Sequence, residues 1–97
     1  MGQLQEMKQK VEEAKVRIEN AIVDGDAESG AVSVKINGTG KLKEVHISDA
    51  FYEESDREDL EELIIVAYNR ALEKADAMKE KEMQEATNGM LPPGMSL

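Results

Sequence analysis

Apolar residues recur three and four positions apart along the first part of the chain. This spacing predicts a helix over residues 3–20 with one narrow apolar stripe of the coiled-coil type. The stripe consists of Leu4, Met7, Val11, Ala14, Ile18 and Ala21. With Leu4 at heptad position a, positions e and g are basic and the acidic residues lie at b and c. Two such helices paired in parallel would repel, so we expect the stripe to pack on a sheet or on an acid-rich helix.

The next segment alternates apolar and polar residues with the period of two that strands show. We predict strands over residues 21–26, 31–37 and 41–48, the last two joined as a hairpin through the turn sequence GTG. Leu42 is out of phase with Val45 and Ile47, which indicates a bulge or a change of face near Lys43.

A long second helix follows, and it is apolar on two faces. We predict that it begins near Ser55 or Asp56, where the sequence SDRE has the spacing of a capping box. The first stripe consists of Leu60, Ile64, Ala67, Ala71, Ala75 and Met78, and the second consists of Ile65, Tyr68 and Leu72. Together they are wider than a surface helix needs, so we expect one stripe to cover the sheet and the other to form a dimer interface.

The order of these elements predicts an α+β fold, with a helix, a three-stranded antiparallel sheet and a long helix. Residues 1–86 are expected to form a single domain. Residues 87–97 contain two Pro and two Gly, which predicts a flexible C-terminal tail. A chain of 97 residues buries a modest share of its surface, so oligomerisation is expected.

Charge is distributed unevenly along the chain. The formal net charge is −9, yet residues 1–48 carry 7 basic and 8 acidic groups. Residues 49–62 alone carry eight acidic groups against one Arg57. The sequence therefore predicts an acidic segment attached to a near-neutral body. The chain has no Cys and no long apolar run, and its first residues lack the pattern of a secretory signal, so we expect a cytoplasmic protein without a membrane segment.

Catalytic and metal-binding patterns fail on inspection. Asp24, Asp26 and Glu28 begin like a calcium loop, but the sixth position is Ser29 and the twelfth is Lys35. The single His46 alternates with apolar strand residues and is expected to face solvent, and no second His or Cys is present to form a nucleophilic relay. We expect neither an enzyme nor a cofactor or metal.

Several segments match, in order and spacing, the pattern of one bacterial family. They are the Lys/Glu/Gln-rich first helix, the acidic stretch 24–30, the strands VSVKING (32–38) and KEVHIS (43–48), the second helix with LEEL (60–63), Ala67, Asn69, Ala71, Lys74 and Ala75, and the tail with Gly89-Met90 and PPGM (92–95). In these features the chain resembles the YbaB/EbfC family of nucleoid-associated proteins. The resemblance implies a tweezer-like homodimer, with the helices projecting as arms, that binds duplex DNA with little sequence preference.

The candidate DNA-binding residues are basic residues that lie outside the acid-rich segment of the sequence. They are Lys8, Lys10, Lys15, Arg17, Lys35, Lys41, Lys43, Lys79 and Lys81. For each of them the alternative is that the side chain covers the apolar stripe or pairs with a neighbouring acid. No aromatic residue interleaves with them and no helix-turn-helix is evident, so neither single-strand stacking nor base reading is indicated.

Two functions from different classes remain open. The first is a nucleoid protein of the cytoplasm that contacts the backbone of duplex DNA as a homodimer. The second is an interaction module whose acidic residues 49–62 dock a basic protein partner. The resemblance favours the first function, and the net charge favours the second.

Overall fold

The computed structural model describes residues 2–87 and contains one sheet and three helices. The elements are α1 (Gly2–Asn20), β1 (Ile22–Ala27), β2 (Val32–Asn37), β3 (Leu42–Ile47), α2 (Asp49–Glu54) and α3 (Arg57–Ala86). The sheet is antiparallel in the order β1-β2-β3. The predicted α+β fold is confirmed, with each strand boundary within one residue of its prediction. The predicted tail lies outside the described residues, apart from Thr87, the cap residue that ends α3.

The short helix α2 is the one element that the sequence analysis missed. The Ser48 hydroxyl caps it by accepting a hydrogen bond from the Phe51 backbone N–H at 3.2 Å. The long helix then begins as predicted, but its cap is Asp56, whose carboxylate accepts from the Asp59 N–H at 2.8 Å. A stretch of 14 mostly acidic residues therefore forms one short helix and the first turns of a long one.

The β2–β3 hairpin shows the bulge that the phase of Leu42 predicted. Lys35 pairs with Glu44, whereas Ile36 pairs with Leu42, so Lys43 has no partner in the register. The extra residue restores Leu42 to the face that Val45 shares. The prediction of a bulge near Lys43 is therefore confirmed.

A buried asparagine organises the turn of this hairpin. Asn37 is 4% exposed, and its side-chain oxygen accepts from the Thr39 N–H, the Thr39 hydroxyl and the Lys41 N–H at 3.1, 2.8 and 2.8 Å. Gly40 adopts a positive φ of 94°, which completes a three-residue loop of a common hairpin type. The turn is thus held by side-chain as well as backbone hydrogen bonds.

The core lies between α3 and the inner face of β1 and β2. Three alanines of α3, Ala67, Ala71 and Ala75, are fully buried against the sheet residues Val23, Ala27, Val32, Val34 and Ile36. Small side chains let the helix backbone come very close to β1. A Cβ atom added at Gly25 would meet the Ala67 carbonyl oxygen and lie 2.7 Å from the Ala71 Cβ. The alanine stripe therefore covers the sheet, as predicted.

The first helix packs on the second half of α3. Ala14 and Ile18 are buried, and the Gly38 N–H donates to the Ile18 carbonyl at 2.9 Å, which ties the end of α1 to the sheet. The stripe thus packs on an acid-rich helix, one of its two predicted partners. Closer to the start of α1, Leu4 is 73% exposed.

Together, α1 and residues 76–86 of α3 form an elongated pair of helices, here called the arm. The described residues extend 62 Å in their longest direction and 25 Å in the next. Within residues 2–87, no helix combines the length and apolar character needed to cross a membrane.

Substituting Gly25 with Ala should destabilise the protein by about 2 kcal/mol or more, because the new methyl group overlaps backbone atoms of α3 that have no room to move. The urea midpoint at a fixed protein concentration measures this loss. Gly2→Ala is the matched control, since a Cβ there has nothing within 4 Å. Equal midpoints for the two variants would contradict the close approach of α3 to β1.

Candidate nucleic-acid interface

The four basic residues of α1 lie along both sides of its contact with α3. Lys8, Lys10, Lys15 and Arg17 are all exposed, because the apolar stripe that they flank faces α3. The Lys15 ammonium lies 3.5 Å from the Glu12 carboxylate, one turn earlier on the same helix. Lys8 and Lys10 form no ion pair within the described part of the chain. The early turns of α1 thus offer two unpaired ammonium groups.

Arg17 is engaged in the one ion pair that joins the two helices of the arm in the described chain. Its Nε and Nη2 atoms each lie 3.0 Å from the same carboxylate oxygen of Glu82. The Glu82 side chain is 24% exposed, whereas that of Arg17 is 53% exposed. One edge of the guanidinium is therefore occupied while much of the group still faces solvent.

Two further basic residues lie on the α3 half of the arm. Lys79 and Lys81 are exposed, and neither forms an ion pair within residues 2–87. Glu80 and Glu85 lie on the same stretch and are also exposed. The arm therefore carries six of the nine candidate residues, interspersed with acids.

The three candidates on the sheet have a different environment. Lys35 lies between Asp24 and Glu44 in a cross-strand row on the outer face, and its ammonium is 2.8 Å from the Asp24 carboxylate. The hydrogen bond with Asp24, reinforced by the charge of that carboxylate, raises the pKa of Lys35. Lys41 follows the turn and Lys43 occupies the bulge, and both are exposed.

The outer face of the sheet is acidic overall. Asp24, Asp26 and Glu44 outnumber Lys35 on it. Asp24 and Asp26, which begin the calcium-like pattern, lie on a strand with outward side chains. The nine candidates therefore form two groups rather than one patch, and carboxylates are interspersed with the basic residues of both groups.

The acidic residues 49–62 lie at the opposite end of α3 from the arm. All eight acidic side chains are exposed, and their one ion pair inside the described range joins Arg57 and Glu61 at 4.0 Å. Asp56 caps α3, and Glu58 and Asp59 lie in its first turn, where the helix dipole favours negative charge. Along α3, Glu62, the last of these acids, lies 17 residues before Lys79, a distance of about 25 Å.

The second stripe of α3 lies along the flank that faces the β2–β3 turn. The Tyr68 hydroxyl donates to the Gly40 carbonyl at 2.7 Å, and Leu72 also lies beside Gly40. Both are half-buried within their own chain. Ile65, one turn earlier on this flank, is 60% exposed. Of the three interface candidates, Ile65 thus has the largest exposed fraction.

The sequence analysis missed a second apolar surface beside this flank. Helix α3 crosses β1 and β2, so the inner face of β3 has little cover. Leu42 and Val45 are 45% and 42% exposed there, although Val45 is the register partner of the fully buried Val34. The alternation of residues identified the inner face of β3, but alternation alone does not show which strands a helix covers.

A family model of YbaB/EbfC DNA-binding proteins matches residues 1–90 of the chain. The chain belongs to the YbaB/EbfC DNA-binding family. The resemblance found in the sequence is therefore confirmed, and the family is one of DNA-binding proteins.

Relatives of this YbaB/EbfC chain match it along its length. It is 36% identical to a nucleoid-associated protein of Rhizobium meliloti (strain 1021) and 38% identical to one of Gluconobacter oxydans (strain 621H), covering 100% of this chain and 92% of each relative. A crystal structure of the uncharacterized protein HP0035 from Helicobacter pylori has a TM-score of 0.68 and 27% identity, covering 93% of this chain and 91% of that one.

In this YbaB/EbfC chain, Tyr68→Phe should lower stability by about 1 kcal/mol, because the Gly40 carbonyl loses its side-chain donor. Thermal unfolding at one protein concentration measures the loss. Tyr52→Phe is the matched control, since Tyr52 is 65% exposed and its hydroxyl has no hydrogen bond within residues 2–87. Equal effects of the two substitutions would show that the Tyr68 hydrogen bond does not stabilise the turn.

Proposed function

We propose that this protein is a nucleoid-associated protein that binds duplex DNA through the phosphate backbone as a homodimer. The observation that carries the proposal is the position of six exposed candidate basic residues on the arm, at the opposite end of α3 from the acidic residues 49–62. Membership of a DNA-binding family supports the same function. Residues of the arm, rather than of the sheet, are the proposed contact surface.

Backbone contacts suit the side chains that the arm presents. Lys8, Lys10, Lys79 and Lys81 are long and exposed, and they are without ion pairs in the described chain. Such ammonium groups bind phosphate oxygens without reading bases, and each contact releases counterions from the duplex. We therefore expect steep salt dependence and little sequence preference.

The net charge of −9 does not oppose this binding, because charges far from the contact are screened. The Debye length at physiological salt is about 8 Å, whereas Glu62, the last acid of the segment, lies about 25 Å before Lys79 along α3. Repulsion between these acids and a duplex held at Lys79 and Lys81 is therefore small. The affinity of the arm for phosphate depends on its own charges, which are six basic and eight acidic groups over residues 2–20 and 76–86, more than on the charge of the whole chain.

The proposed dimer places two arms on one ligand. Its interface comprises the flank of α3 around Ile65 and the exposed residues Leu42 and Val45 of β3, which lie on the same side of the molecule. Apolar surface on both would leave water when a second chain packs there. Because the second arm then binds within the same complex, two weak contact surfaces give useful affinity.

The DNA contact is tested by fluorescence anisotropy of a labelled, mixed-sequence duplex of about 30 base pairs at several salt concentrations. Replacing both Lys8 and Lys10 by Gln should weaken binding about tenfold or more and lower the salt slope by roughly one for each ammonium group that no longer binds phosphate. Replacing both Lys35 and Lys43 by Gln removes the same charge and should weaken binding less than about threefold, because Lys35 is already paired with Asp24. Equal effects of the two double substitutions, or no binding by the wild-type protein at low salt, would contradict the proposal.

The dimer is tested by sedimentation of two isoleucine variants. Ile65→Asp should raise the dissociation constant of the dimer by about a hundredfold or more, because an unpaired carboxylate would be buried between the chains. Ile22→Asp is the matched control, since Ile22 is 57% exposed on β1 and Ile65 is 60% exposed on α3. A dimer that survives Ile65→Asp, or a wild-type monomer, would refute this interface.

A further inference from the structure

The contact between Arg17 and Glu82 resembles the way a guanidinium holds a phosphate. The Arg17 Nε–H donates to the Glu82 Oε1 atom at 3.0 Å, and the Nη2 atom on the same guanidinium edge lies 3.0 Å from that oxygen. A phosphodiester oxygen is an anionic acceptor of the same kind, and guanidinium groups bind both anions with similar geometry. The group best suited to phosphate on the arm is therefore already bound to an acid of the same chain.

We propose that Glu82 competes with DNA phosphate for Arg17 and thereby sets the affinity of the arm. In the free protein Glu82 holds the guanidinium, and in the DNA complex a backbone phosphate replaces the carboxylate. This inference rests on the proposed function, since it concerns the same surface and the same ligand.

Solvent exposure permits the exchange. The Arg17 side chain is 53% exposed, so a phosphate can approach it while α1 and α3 stay packed through Ala14 and Ile18. Ion pairs with this degree of exposure contribute little net stability, typically about 0–1 kcal/mol. Breaking the pair is therefore a small cost beside a new phosphate contact.

The other ion pairs of the described chain do not join an arginine of one arm helix to an acid of the other. Lys15 and Glu12 lie 3.5 Å apart on one helix, with both side chains more than half exposed. Lys35 pairs with Asp24 on the acidic outer face of the sheet. Arg17 is the only arginine among the candidate residues, and Glu82 reaches it from the opposite helix of the arm.

Two charge-matched variants of α3 test the competition. Glu82→Gln and Glu80→Gln each remove one negative charge, two residues apart, but Glu80 is exposed and forms no ion pair in the described range. Glu82→Gln should tighten binding of the duplex about fivefold with little change in the salt slope, because Arg17 contacts phosphate in both complexes and only the competing carboxylate is removed. Glu80→Gln should change affinity less than about twofold and leave the slope unchanged. Adding Arg17→Gln should abolish the gain from Glu82→Gln, which shows that the two residues act as a pair.

The Arg17 side chain itself provides a second measurement that needs no change at Glu82. Its Nε–H signal in an NMR spectrum of the wild-type protein, assigned with Arg17→Lys, should move on addition of the duplex as phosphate replaces the carboxylate. The signals of Arg57 and Arg70 should stay in place, because neither is on the arm.

Either of two results would overturn the inference. One is an equal gain from Glu82→Gln and Glu80→Gln, which would reflect net charge alone. The other is an unmoved Arg17 signal in a sample saturated with DNA. If instead the wild-type protein fails to bind the duplex at low salt, the proposed function fails as well, so the two failures are distinguishable.

Discussion

The close packing of α3 on β1 determines how the rest of the molecule is arranged. At Gly25 the strand has no side chain and the helix presents Ala67 and Ala71, so two backbones come almost into contact. The largest fully buried side chains are only Ile36, Val32 and Val34. With so few large side chains in the core, a close fit of small residues fixes the angle at which α3 crosses the sheet. That angle in turn decides where α1 packs and which strand is left uncovered.

One continuous helix also explains how an acidic protein can have a surface suited to phosphate. Helix α3 begins among carboxylates that cap it and favour its dipole, and it ends beside the basic residues of α1. The acids near its start stabilise the helix locally, whereas Glu82 near its end contacts α1. Acidic residues therefore stabilise the helix at its start and contact α1 at its end. The net charge of the chain shows neither role.

Patterns over a few neighbouring residues predicted those features of the fold that depend on neighbouring residues alone. The stripe of α1, the alternation in β2, the bulge at Lys43 and the start of α3 all follow from spacing along a few residues. Helix α2 was missed because its six residues are too few for a periodic pattern. The contact of Arg17 with Glu82 joins residues 65 positions apart, and it depends on how two helices are packed. An acid-rich partner for α1 was predictable from its basic flanks, but the particular glutamate was not. The uncovered face of β3 likewise depends on packing, because only the crossing of α3 over β1 and β2 leaves Val45 exposed.

Because α3 is long, a small rotation where it packs on the sheet moves its C-terminal end by several ångströms. Its pivot is the contact of Ala71 with Gly25, and its tip at Ala86 lies 15 residues further on, about 22 Å away. A rotation of about 10° at the pivot would therefore move the tip by about 4 Å, close to the rise of roughly 3.4 Å along the helix axis for each phosphate of one DNA strand. In the proposed dimer, a core substitution that tilts α3 slightly would change the gap between the two arms by a distance comparable to this rise. Substitutions far from every basic residue can thus move the end of α3, and the arm with it, without changing a single charge.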